Sequence, residues 1–231
     1  MRTWFPFSDY DFYTYLSSGI LILFAIDYLV TGGSSGFEKS WTTQQIILGL
    51  IVAYVMGQII TIPSSILYET ILLNKIFGHP MEVQLGYSSS KFLTYIGLFL
   101  GKDYRFLPES VRKNVIERAK NETNLTEDVL MKDKLNIFDA AFVGARAREE
   151  DKVRIDDFRN QYGFNRNMSF ASFLTAYFIY VSSSANSTSL SMVFIFLGLG
   201  MMIRFLTSYT SFSAEVFRSY AFDANNKKAK K

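Results

Sequence analysis

The stretch LGLIVAYVMGQIITIPSSILYE, from Leu48 to Glu69, decides how this chain is read. It is apolar enough for a bilayer, yet Gly49, Ala53, Gly57, Thr61 and Ser65 place a small residue at every fourth position. Gly49, Ala53 and Gly57 have the small-xxx-small spacing that lets a second helix approach closely. Four residues advance about 400° on an ideal helix, so the stripe drifts around the cylinder as it descends. Its lower half merges with a second face, made by Tyr54, Gln58, Thr61 and Ser65, in which every side chain carries a polar group. Gln58 falls near mid-membrane, where an unsatisfied amide is costly. Two readings follow. Either Gln58 and Thr61 hydrogen-bond a neighbouring helix, at roughly 0.6 to 2 kcal/mol per contact, or the four side chains line a water-filled path in an oligomer. Pro63 predicts a bend in the same region.

The rest of the chain supports a membrane setting. Of 231 residues, 49% are hydrophobic and 16% aromatic, while 19% are charged, so apolar and polar parts must be segregated. Further apolar runs lie at Leu16 to Val30, extending back through Phe12, at Met168 to Val181, and at Leu190 to Tyr209. With Ile46 to Leu73 they make four expected spans against the ~20 residues that a bilayer core requires. Met168 to Val181 is short by itself. Phe92 to Leu100 is shorter still and reads as a core or surface helix. The first run is too long for a signal-peptide core and reads as a retained span.

Chemistry is constrained by what is scarce. The sequence has no cysteine and one histidine, His79, which excludes thiolate and multi-histidine metal sites. No catalytic residues, metal site or cofactor are expected, and the composition argues against an enzyme. The net charge of +3 gives no case for nucleic-acid binding.

Lys and Arg set the orientation. Sixteen of them lie between Asn74 and Asn167 and more in the tail NNKKAKK, whereas the other two loops hold only Lys39. Both termini are therefore expected on the cytoplasmic side of a bacterial inner membrane. The expected fold is an all-α membrane protein with four transmembrane helices and a helical cytoplasmic insert between spans 2 and 3. Its parts are 1–73 with two spans, 74–167 as the insert, and 168–231 with two spans and a basic tail. In the insert, Pro108-Glu109 has the chemistry of a helix start and Thr126 that of an N-cap. Apolar repeats at Val111, Val115 and Ala119, at Phe138, Phe142 and Ala145, and at Ile155, Phe158 and Tyr162 mark helices.

Site candidates accompany plainer readings. Arg146, Arg148, Lys152 and Arg154 form the densest basic cluster near span 3 and could hold a phosphorylated ligand; the plainer reading is a solvated helix laced by acid–base pairs. On the ligand reading, their helix runs through Gly163 into the membrane, with that glycine as the weak point. YSSSK at Tyr87 to Lys91 could meet an anion or simply cap a helix. Asp27 is an intramembrane acid near the outer end of span 1. Arg204 can snorkel at the inner end of span 4, and His79 reads as a turn residue.

FRNQYGFNRNMSFA, Phe158 to Ala171, leads into span 3, and RFLTSYTSFSAEVFRSYA, Arg204 to Ala221, leaves span 4. Over about a quarter of the chain, both resemble patterns in a loose set of uncharacterised bacterial four-span inner-membrane proteins. Such proteins include membrane effectors of anti-phage defence, among which the chain resembles the Hailong-type channel effectors. The resemblance implies a homo-oligomer, such as a tetramer, whose pore responds to a nucleotide or oligonucleotide made by a partner enzyme. Two function classes stand side by side: a channel gated from the cytoplasm, and a non-conducting adaptor that recruits a partner through its insert.

Overall fold

The computed structural model describes residues 9–32, 41–86, 106–123, 134–182, 184 and 186–228. All regular structure among them is helical. In chain order, α1 is Asp9–Thr31, α2 is Thr43–Ser65, and a π-helical segment, Ile66–Phe77, continues it. Then come α3, Pro80–Leu85; α4, Glu109–Thr123; α5, Lys134–Ala145; α6, Glu149–Val181; and α7, Ser187–Lys228. The Phe92 to Leu100 run, YSSSK and the Thr126 cap lie outside the described residues.

Among the described residues three segments are long and apolar enough to cross a membrane: Phe12–Thr31, Thr43–Leu73 and Ser187–Phe222. Met168 to Val181, the last turns of α6, is not among them. The helices sort into two compact units. Unit 1 comprises residues 1–71 and 163–205, and unit 2 comprises 72–162 and 206–231.

Unit 1 gathers α1, α2, the end of α6 and the start of α7. Ile22, Ile60 and Ala171, one from each of the first three, form its buried centre. Local chemistry starts α2 cleanly: the Thr42 hydroxyl accepts from the Gln45 amide while the Gln45 side chain accepts from the Thr42 N–H. This reciprocal pair satisfies two donors that a helix N-terminus leaves open. Three residues beyond Pro63 the winding widens from α to π. Proline removes a donor from the ladder, and π turns are frequent where the ladder is interrupted.

The end of α6 explains its own weak hydropathy. Ser169, Ala171, Ser172, Thr175 and Ile179 have no exposed surface. Thr175 donates to the Leu21 carbonyl of α1 at 3.1 Å, while Ser191 of α7 donates to the Ala176 carbonyl at 2.8 Å. The face of a segment that meets protein can carry hydroxyls that lipid would reject.

Unit 2 has a different interior. Val115 and Ala119 of α4, Ile137 and Ala141 of α5, Ile155 of α6 and Phe217 of α7 are buried. Aromatic rings dominate: Phe138 meets Phe212 and Phe217 edge-on at 5.9 and 5.7 Å, and Tyr162 meets Tyr209 at 5.0 Å. α4 begins one residue later than expected, with the Pro108 carbonyl accepting from the Arg112 amide at 3.1 Å. Lys113 holds the exposed Glu109 carboxyl below its usual range by a 2.7 Å ion pair. α7 continues past Tyr209 to Lys228, and residues 206–231 belong to unit 2. At 1.5 Å per residue, Ser187–Phe222 is about 54 Å long, well over the ~30 Å of a bilayer core.

His79 is the N-cap position of α3, its carbonyl accepting from the Glu82 amide at 2.9 Å. Gly163 interrupts nothing, because α6 runs through it unbroken.

Candidate functional site

The small residues of α2 meet α1 backbone to backbone. A Cβ on Gly57 would stand 1.9 Å from the Tyr15 carbonyl oxygen, and one on Gly19 of α1 would stand 1.7 Å from the Ala53 carbonyl oxygen. Neither position admits a side chain. Gly49 lies farther along, where the helices part, and its nearest neighbour is the Trp41 ring at 3.3 Å. Beyond Ala53 an apolar groove of about 690 Å³ opens, lined by Gly49, Trp41 and the half-buried Asp27 among others.

The four polar positions of α2 separate into distinct settings. Tyr54 is half-buried, its ring stacked on Phe12 at 6.2 Å and edge-on to Tyr15 at 5.7 Å. Gln58 is exposed. The Thr61 hydroxyl donates to the Gly57 carbonyl at 3.1 Å and accepts from Asn167 at 2.8 Å. Ser65 donates to the Ile62 carbonyl at 2.8 Å.

Thr61 thereby joins a polar network that α2 and the π-helical segment share with α6. Asn167 is 1% exposed, and its carboxamide is used on both sides. Its Nδ2 donates to Thr61, and its Oδ1 accepts from Ser64 at 3.0 Å and from Arg166 Nε at 3.3 Å. Arg166 also forms an ion pair with Glu69. Two residues further along α6, Ser169 donates to the Gly198 carbonyl of α7 at 2.6 Å. The Ser169 hydrogen is thus committed, so the Tyr68 hydroxyl must donate to Ser169 Oγ. Buried, fully connected networks of this kind fix helix register, because any slip leaves several groups unsatisfied. The spacing analysis found only Thr61 of this set. The available signal was two polar pairs, Tyr68-Glu69 and Arg166-Asn167, at the same boundary of two apolar runs.

The basic cluster is distributed differently from expectation. Arg146 and Arg148 lie in the turn between α5 and α6, and only Lys152 and Arg154 are on the helix. Each base has a carboxylate neighbour: Arg146 with Asp156 at 3.1 Å, Arg148 with Asp151 at 3.7 Å, and Lys152 with Glu149 at 3.3 Å. Arg154 contacts both Asp151 and Glu215 at 3.0 Å, and these acids raise its pKa further. Arg146 also lies over the Phe142 ring at 5.2 Å. Arg204 is exposed one residue before the end of unit 1's share of α7.

Among the described residues no group of three potential metal-binding side chains gathers. Comparison with protein-family models, with curated proteins and with solved structures finds no match. The described chain is an all-helical protein with three membrane-competent helices, which suggests a multi-pass membrane protein.

Proposed function

We propose that the chain is one subunit of a homo-oligomeric channel in a bacterial inner membrane, gated from a helical cytoplasmic part. In this reading Met168 to Val181 also crosses, as span 3 of four, and both termini are cytoplasmic. The buried hydroxyls of α6 support this crossing, because a helix shielded by three apolar neighbours needs little hydropathy of its own.

The observation that carries the channel reading is Gln58. It is exposed midway along Thr43–Leu73, beside Val55, Ile59 and Ile62, which are exposed and apolar. Hydrocarbon cannot satisfy a primary amide. A second copy of the chain or a water-filled path can. Thr61 and Ser65 bond within the chain, so Gln58 would form the centre of the pore-facing surface. The nucleotide or oligonucleotide signal and the defence role come from the resemblance alone. A phosphorylated ligand at Arg146, Arg148, Lys152 and Arg154 would have to displace their carboxylates.

The sequence has no native cysteine, which makes the test direct. Of single cysteines at 54, 55, 58, 59, 61, 62 and 65, the one at exposed Gln58 should react fastest with a water-soluble thiol reagent in the open channel, and those at 54 and 61, whose native side chains pack or bond within the chain, should react least. Reconstituted liposomes should conduct. A chain that inserts but conducts nothing, with all seven positions equally protected, would leave the adaptor reading instead.

A further inference from the structure

Unit 2 holds a polar cavity of about 290 Å³. One wall is a face of α7: Ser211, Ala214, Glu215 and Arg218 fall at i, i+3, i+4 and i+7, and all four line the cavity. Gln84 is a second wall, 1% exposed and fixed on every side. Its amide nitrogen donates to the Thr210 carbonyl at 2.8 Å, and its amide oxygen accepts from Ser213 at 2.8 Å. Its main-chain carbonyl accepts from the Leu107 amide at 3.0 Å. With its hydrogen bonds used inward, Gln84 acts as a rigid support. Phe106 and Phe158 add two aromatic side chains.

The two charges of this lining, Glu215 and Arg218, are unequally engaged. Glu215 is 3.0 Å from Arg154, which offsets its charge. Arg218 is exposed, and among the described residues no carboxylate lies within ion-pair distance of it. Among the described residues, then, Arg218 is the guanidinium of this lining without an ion-pair partner, a donor fork suited to carboxylate or phosphate oxygens. The Ser211 hydroxyl shares its helix face two turns away.

We infer that unit 2 binds a small organic anion in this cavity. Its carboxylate or phosphate group meets Arg218 and Ser211, and a flat apolar body meets Phe106 and Phe158. The volume lies just under the range of about 300–1,000 Å³ typical of small-molecule sites. It suits a mononucleotide or an aromatic carboxylate and is too small to enclose an oligonucleotide. The site is separate from the Arg146 to Lys152 bases, and Arg154 enters only by neutralising Glu215. Binding there does not depend on whether the chain conducts.

The full chain in detergent micelles would be titrated calorimetrically with AMP and with benzoate, using adenosine and benzamide as neutral controls. At least one anion should bind at sub-millimolar concentration, and its neutral counterpart should not. Arg218→Gln should weaken that binding about tenfold or more, the loss expected for a hydrogen bond to a charged group. Because Arg218 is exposed, the variant should retain its circular dichroism and melting temperature. Ala214→Leu, which fills the cavity, should abolish binding. Failure of both anions at millimolar concentration, or unchanged affinity in Arg218→Gln, would overturn the site. Liposome conductance measured on the same preparation reports on the channel reading alone: binding without conductance keeps the site and removes the channel.

Discussion

Units 1 and 2 are both helical, yet their interiors lean on different contacts. In unit 1 the contacts are made by absences and hydroxyls: Gly19 and Gly57 bring two backbones together, while Thr175, Ser169 and Asn167 bond across helices. In unit 2 they are made by bulk, with Phe138, Phe212, Phe217, Tyr162 and Tyr209 filling the interior. In the proposed topology, with unit 1 in lipid and unit 2 in water, the solvent accounts for the difference. Lipid tails are as apolar as leucine, so burying a large apolar side chain between membrane helices gains little. Close packing and interhelical hydrogen bonds remain as driving forces. In water, removing an aromatic ring from solvent is the largest single gain available.

The strongest way to break this contrast is Gly57→Leu. With a carbonyl 1.9 Å from the first added carbon, α1 and α2 cannot keep their approach. The variant should lose its cooperative melt in detergent, whereas Gly200→Leu, with nothing within 4 Å of the added carbon, should keep it. Equal melts for the two would remove the close contact. Next in size is Phe212→Ala in unit 2, where the ring is 5% exposed. Large-to-small changes of this kind cost about 3–5 kcal/mol. Hydrogen exchange should speed up in α4 and α5 and remain unchanged in α1 and α2. Acceleration in both units alike would erase the distinction between their interiors. Thr175→Val sharpens the comparison from the other side. It keeps the shape and removes one bond to Leu21, so the expected loss is about 0.6 kcal/mol and no more than about 1.7. A loss near that of Phe212→Ala would mean that unit 1 depends on individual polar contacts far more than membrane helices generally do.

How much of this was legible in the sequence depends on the range of the signal. Helical character and three membrane-competent runs follow from local composition. So does the placement of small residues along α2, because each is a property of consecutive positions. The partner Gly19 was not marked, since a lone glycine in SSGILI has no periodic neighbour to give it meaning. The pairing in the Asn167 network was illegible for a stronger reason: Ser64 and Thr61 are more than a hundred positions away from it, and hydropathy carries no pairing information. Hydropathy is low at the end of α6 because it measures tolerance of lipid, whereas Ser172 and Thr175 face protein. The end of α7 escaped because its buried face, Phe212, Val216, Phe217 and Tyr220, is interleaved with the polar Ser211, Glu215 and Arg218. The densest run of bases drew attention as a site, yet Glu149, Asp151 and Asp156 beside them were visible in the same line of sequence.

The backbone contact at Gly19 and Gly57 also sets how the gene can drift. An amino-acid replacement at either position, whatever it is, adds at least one carbon where a carbonyl already stands. A saturation library selected for folded protein should therefore return a single permitted residue at 19 and at 57. At 200, where the same amino acid faces open space within this chain, it should return many. If 200 also proved intolerant, a second copy of the chain pressed against that face would be the first explanation to examine.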